Sequence, residues 1–174
     1  YKFLVCRMKK STLLHLRIPF SFLLMPVFLF ALAVSPALPL QELFFAFIAL
    51  HLFLYPASNG YNSWFDKDEK SIGGLKEPPK VYKELLYYSL LFDELAVVSA
   101  LFVGWRFAFM FFIYGTISRA YSNDKTRLKK YPIISWLTVT IFQGGFMFLA
   151  TYLALNKLTF SELLKEEIIY PALL

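Results

Sequence analysis

The chain has 174 residues, 58% of them hydrophobic and 20 of them phenylalanine, more apolar mass than one water-soluble core of this length takes up. Its 18 lysines and arginines outnumber 12 acidic residues for a net charge of +6, but in a bilayer protein the placement of cations matters more than their sum, so no nucleic-acid partner is implied. The single cysteine, Cys6, excludes an intrachain disulfide and a cysteine-rich zinc site.

The opening "CRMKK", an apolar run and "AVSPA" imitate a secretory signal with its cleavage site. The run from Ile18 to Val34 is longer than a signal core, holds Pro19 and Pro26, and is followed by Pro36 just past the cut, so a retained first span is expected. About 20 helical residues cross a hydrocarbon core. Five segments approach that length: Leu14–Val34, Leu40–Ala57 with its helix running on to residue 62, Val81–Val103, Trp105–Tyr121 and Ile133–Leu155. The apolar runs are continuous instead of alternating, which disfavours a barrel. The expected fold is an all-α transmembrane bundle forming one membrane domain over 1–174. Pro26 and Pro56 each remove an internal backbone bond and predict bends in the first two spans.

Three basic groups alternate with the spans: Lys2, Arg7, Lys9, Lys10 and Arg17 before the first; Lys67, Lys70, Lys76, Lys80 and Lys83 between the second and third; Arg119, Lys125, Arg127, Lys129 and Lys130 between the fourth and fifth. They hold 15 of the 18 cations, which the positive-inside rule assigns to the cytoplasmic side. The chain starts with tyrosine and ends in "SELLKEEIIYPALL", read as the start of a sixth span near 160–174 with a continuation beyond it.

The second span ends in "NGYNSWFDKDEK". On a helix Asn59, Asn62 and Asp66 stand at i, i+3 and i+7 and project from one face, with Asp68 and Glu69 next. A hard cation such as Mg2+ takes oxygen ligands, commonly one or two carboxylates with water and substrate phosphate. The same residues also fit a helix that simply ends in water. In the loop "SIGGLKEPPK" that follows, Lys70, Lys76 and Lys80 suit a polyphosphate, or serve as ordinary positive-inside charge. Further on, "SRAYSNDKTRLKKYP" offers Arg119, Lys125, Arg127, Lys129 and Lys130 with the hydroxyls of Tyr121 and Ser122 as an anion cradle on the same side of the membrane.

"NSWFD" at 62–66 resembles the N-x-x-x-D start of the first aspartate-rich motif of the UbiA superfamily of intramembrane prenyltransferases. "AYSNDKTRLKKYP" is similar to that family's tyrosine-serine-to-basic loop two helices later, and Arg17-Ile18-Pro19 to the arginine and proline opening its first helix. The resemblance implies a bundle of about nine helices, of which this chain carries five, and Mg2+-dependent transfer of an isoprenoid from a prenyl diphosphate to a lipophilic acceptor. It implies Asn62, Asp66, Asp68 and Glu69 as metal ligands, the first three also as catalytic residues, and Arg17, Lys70, Tyr121, Ser122, Arg127 and Lys129 as diphosphate contacts. A bacterial inner membrane is the expected location. Lys70 stands where the family's motif usually ends in aspartate, and the second aspartate-rich motif is not among the 174 residues.

Asp93 and Glu94 interrupt the third apolar segment, where they either line a cavity or make an interhelical contact. His51 is read as structural and His15 as interfacial; Gln143, Gly144 and Gly145 suggest close helix approach around one polar group. Two rival functions follow from the same residues: an ion path through Asp93, Glu94 and His51, or a homologue that binds prenyl diphosphate without turnover, for which Lys70 argues. Acceptor identity and prenyl length are not readable.

Overall fold

The computed structural model describes residues 8–67, 69–165 and 167–172. Cys6, Lys2, Arg7 and Asp68, named above, lie outside the described residues. Within them the secondary structure is helical apart from one isolated antiparallel bridge between Ile72 and Leu75. The long elements are α1 (Lys10–Val34), α2 (Leu40–Asp66), α3 (Glu84–Leu101), α4 (Trp105–Ser122) and α5 (Pro132–Asn156), followed by the short α6 (Phe160–Leu163) and α7 (Ile169–Ala172).

Among the described residues, α1, α2 and α5 are long and apolar enough to cross a membrane, at 25, 27 and 25 residues. The other two expected spans, 81–103 and 105–121, are helices of 18 residues each. At 1.5 Å per residue these are about 27 Å long, and they carry Asp93 with Glu94 and Arg106 with Arg119. The third helix starts late because Pro78, Pro79 and Lys80 belong to the preceding loop, which is tied to α1. The Ser11 hydroxyl donates to the Lys80 carbonyl (2.5 Å), His15 Nε2 to the Pro79 carbonyl (2.7 Å) and the Thr12 hydroxyl to Glu84 Oε1 (2.5 Å). His15 is therefore buried within the protein, its ring spent holding a loop.

The bends come with changes of helical winding. A tight 3-10 turn, Phe22–Leu24, precedes Pro26, and Arg17 breaks the first turns of α1 in the left-handed region (φ 48°). In α2 the segment Ile48–Leu54 is π-wound and ends just before Pro56, whose missing N–H leaves a carbonyl that the wider turn accommodates. The π-wound Val139–Phe146 of α5 contains the Gly144-Gly145 pair, and a Cβ on Gly145 would sit 2.3 Å from the Ala172 carbonyl, so α7 seats against bare backbone.

α2 is the central helix: it packs on α1, α3, α4 and α5. The core is aromatic and aliphatic, with Leu50, Leu54, Tyr55, Phe107, Phe111 and Met147 among its fully buried members. Gly60 allows a close approach of three helices, since a Cβ there would lie 2.4 Å from Ser89 Oγ on α3 and 2.9 Å from Leu16 Cδ2 on α1. His51 is buried against Phe22, Phe28, Phe47 and Tyr55; its Nδ1–H donates to the Ser21 carbonyl (3.1 Å), and the Ser21 hydroxyl returns a bond to the His51 carbonyl (2.8 Å). The outward faces are apolar at helical spacing, as in Trp105, Phe109 and Phe112 of α4 and Ile133, Trp136 and Leu137 of α5, all exposed.

The start of α1, the 67–83 loop and the 123–131 loop meet at one end of the bundle, so the three basic segments share a face. At the other end Lys157 pairs with Glu42 (2.7 Å) and Asn156 donates to the Ser35 hydroxyl (3.0 Å).

Candidate functional site

The last turns of α2 supply the first half of the site. α2 stays helical to Asp66 and stops at Lys67, which adopts the left-handed conformation (φ 49°) that closes a helix C-terminus. Asn62 and Asp66 thus remain one turn apart on one face. Glu69 and Lys70 lie beyond the left-handed turn and are exposed, outside the converging set.

The second half comes from the turn between α4 and α5. Asn123 ends α4 and uses its side chain twice, donating from Nδ2 to Tyr61 Oη (3.0 Å) and accepting the Lys125 backbone N–H (3.0 Å). Arg127 is left-handed (φ 37°), and a 3-10 turn, Leu128–Lys130, delivers the chain to Pro132. This folded turn aims Lys129 back at α2. Its Nζ donates to Asn62 Oδ1 (2.8 Å) and to Asp66 Oδ1 (2.5 Å). Ser122 donates to the same Asn62 oxygen (2.8 Å), and Arg127 Nη2 lies 3.5 Å from Asp66 Oδ1. The Lys129 side chain is only 14% exposed and that of Asp66 18%, so the pair is largely withdrawn from water, whereas Arg127 at 44% keeps a wet guanidinium.

Arg17 closes the site from α1. It donates to the Asn59 carbonyl (3.4 Å) and stacks over Phe20. Arg17, Asn59, Asn62, Tyr121 and Ser122 line a cavity of about 250 Å3. Among the described residues the buried Asn59 amide nitrogen has no hydrogen-bond partner. Tyr121 is on the wall with its hydroxyl against Ser135 (2.8 Å). Gln143 and Val139 also line this cavity and a second, mostly apolar one of about 620 Å3 bounded by Leu24, Val27, Phe30 and Phe148, so the two adjoin. Gln143, read from sequence only as a polar point of close helix contact, is the polar side chain at that junction.

Two cations, Arg127 and Lys129, therefore meet the Asp66 carboxylate, with Arg127 also pairing with Asp124 (3.3 Å). Among the described residues no three His, Cys, Asp or Glu side chains converge as a protein-made metal cage. What converges is one amide oxygen and one carboxylate on a common point, which fits a hard divalent ion whose remaining positions go to water and phosphate.

Other members of the sequence-read cradle lie elsewhere. Arg119 turns away and pairs with Asp93 on α3, while Lys125 and Lys130 are exposed. Asp93 is thereby an interhelical contact, and Glu94 is exposed. His51 sits among the rings of Phe22, Phe28, Phe47 and Tyr55. No family model matches the chain, and neither a curated protein nor a solved structure matches it.

Proposed function

We propose that this chain forms a five-span UbiA-type site, which binds a prenyl diphosphate with Mg2+ and passes the isoprenoid to a lipophilic acceptor. The observation that carries the reading is the meeting of Asn62 and Asp66 with Arg127, Lys129 and Ser122, next to a cavity that Asn62, Ser122 and Arg17 line. Residues 60 to 67 positions apart in sequence come together there, in the order and with the chemistry of the motifs that carry the resemblance. The adjoining apolar cavity supports an amphiphilic ligand, with a charged head by α2 and a hydrocarbon tail between α1 and α5. α3 and α4 cross the bilayer in this reading with Asp93 and Arg119 paired to each other, while Glu94 stays exposed.

Asn62 Oδ1 and Asp66 Oδ1 would hold the metal. Mg2+ supplies, when bound, the Lewis-acid charge that stabilises a departing diphosphate. Arg17, Arg127 and Lys129 neutralise the oxygens that gain charge as the allylic carbon–oxygen bond breaks. The electron pair leaves with diphosphate; the acceptor's nucleophilic atom bonds to the allylic carbon and gives up its proton to the released diphosphate. Apolar walls around the organic fragment keep water from competing with that acceptor.

The test is binding of radiolabelled farnesyl diphosphate to the protein in lipid nanodiscs with and without Mg2+, then transfer to a panel of acceptors. Saturable, Mg2+-dependent binding displaced by inorganic pyrophosphate is expected. Absence of saturable binding at millimolar Mg2+ refutes the reading.

A further inference from the structure

Lys129 occupies the point on which both candidate metal ligands converge. Its ammonium is bonded to Asn62 Oδ1 at 2.8 Å and Asp66 Oδ1 at 2.5 Å, and its side chain is more deeply buried than that of Arg127, 14% exposed against 44%. A divalent ion taking the same two oxygens would stand within contact distance of that ammonium, where like charges in a dehydrated pocket repel strongly. The two cations are mutually exclusive.

We infer that Lys129 is a resident counter-cation that the site exchanges for a divalent ion, its ammonium passing from Asn62 and Asp66 to an oxygen of the incoming phosphate group. The inference rests on the metal–diphosphate reading of the same site and adds a sequence of occupancy to it. With no divalent ion, Lys129 neutralises Asp66 and holds the α4–α5 turn against the end of α2. When the ion takes its place, the flexible four-carbon stem lets the ammonium swing toward the adjoining cavity, already lined by Arg17 and Asn59. The anion rewards the displaced lysine with a new partner, so divalent ion and anion each strengthen the other's binding. Arg127, at 3.5 Å from Asp66 and half wet, cannot substitute, because it lacks the second bond to Asn62.

Mn2+ alone, titrated against the protein in nanodiscs and followed by the electron paramagnetic resonance signal of the free ion, tests the exchange. Lys129→Met is expected to bind Mn2+ about tenfold tighter than the unaltered chain, since a competing charge is removed, and Asp66→Asn to lose the site. Equal affinity in Lys129→Met and the unaltered chain, with Asp66→Asn still deficient, overturns the exchange and leaves the metal reading standing. Absence of any Asp66-dependent Mn2+ binding overturns both. A second measurement needs no variant: acetylation of Lys129 in the unaltered protein, mapped by mass spectrometry, is expected to rise several-fold at saturating Mg2+ and to fall again when inorganic pyrophosphate is added. Unchanged Lys129 reactivity across the Mg2+ titration overturns the exchange even where Lys129→Met fails to fold.

Discussion

Arg119 reaches from α4 to Asp93 on α3, and the two ends of that pair are unequally wet, with the arginine side chain 33% exposed and the carboxylate side chain 12%. Removing the arginine and removing the acid should therefore have different costs. Arg119→Met strands a carboxylate that is pressed against Gly115, where a Cβ would lie only 2.5 Å from Asp93 Oδ1. Stranding one partner of a buried pair costs about 3–5 kcal/mol. Asp93→Asn keeps the shape and removes the charge, and the partly exposed guanidinium can turn to solvent, so its cost is about 1–2 kcal/mol. The double variant Asp93→Asn with Arg119→Met should recover about 2 kcal/mol of the loss in Arg119→Met, because no uncompensated charge remains. Unfolding in mixed micelles of increasing SDS fraction, followed by tryptophan fluorescence, measures all three. A double variant as unstable as Arg119→Met, or an Asp93→Asn that costs as much as Arg119→Met, would refute the assignment of the penalty to a dehydrated carboxylate.

Asp66→Ala should weaken Mg2+-dependent farnesyl diphosphate binding about tenfold to a hundredfold, the scale of a lost bond to a charged group at about 1.5–3 kcal/mol, with the circular dichroism spectrum unchanged; undiminished binding removes Asp66 from the site. Gly115→Ala should destabilise by about 1–3 kcal/mol through overpacking against the Asp93 carboxylate, and the same SDS titration should show the cost shrinking when Asp93 is also replaced by serine. Gly60→Ala and Gly144→Ala form a contrast, since a Cβ at Gly60 meets Ser89 and Leu16 below 3.0 Å while one at Gly144 meets nothing within 4 Å. The first should lower stability and the second leave it level or raise it by up to about 1 kcal/mol; equal effects would mean that the α1–α2–α3 contact is looser than these distances imply.

The helices were readable because long apolar runs and their Pro and Gly boundaries are local properties. The expected 105–121 and 133–155 differ by a residue or so from Trp105–Ser122 and Pro132–Asn156. The start of α3 was not readable, since the bonds from Ser11, Thr12 and His15 that hold residues 79–84 come from 64 to 72 positions earlier in the chain. The i, i+3, i+7 spacing put Asn59, Asn62 and Asp66 on one face, and that geometry depends only on α2 staying helical to its end. Glu69 and Lys70 had the right chemistry for the same cluster, yet the left-handed Lys67 ends the helical register before them. Arg119 looked like a cradle residue from its neighbours in sequence; the turn of α4 aims it at Asp93 instead.

Composition and charge order alone determined that this chain forms long apolar helices with its cations gathered in three segments, because hydropathy and proline placement act over one or two turns at a time. Tertiary structure decided which cation meets which acid. Lys129, Lys130, Lys125 and Arg127 are nearly equivalent as text, and only the 3-10 turn after a left-handed Arg127 puts the ammonium of Lys129 on Asn62 and Asp66 while leaving the neighbouring lysines in water. Ion pairing depends on distances of a few ångströms between segments more than 60 residues apart, and no local pattern encodes such a distance.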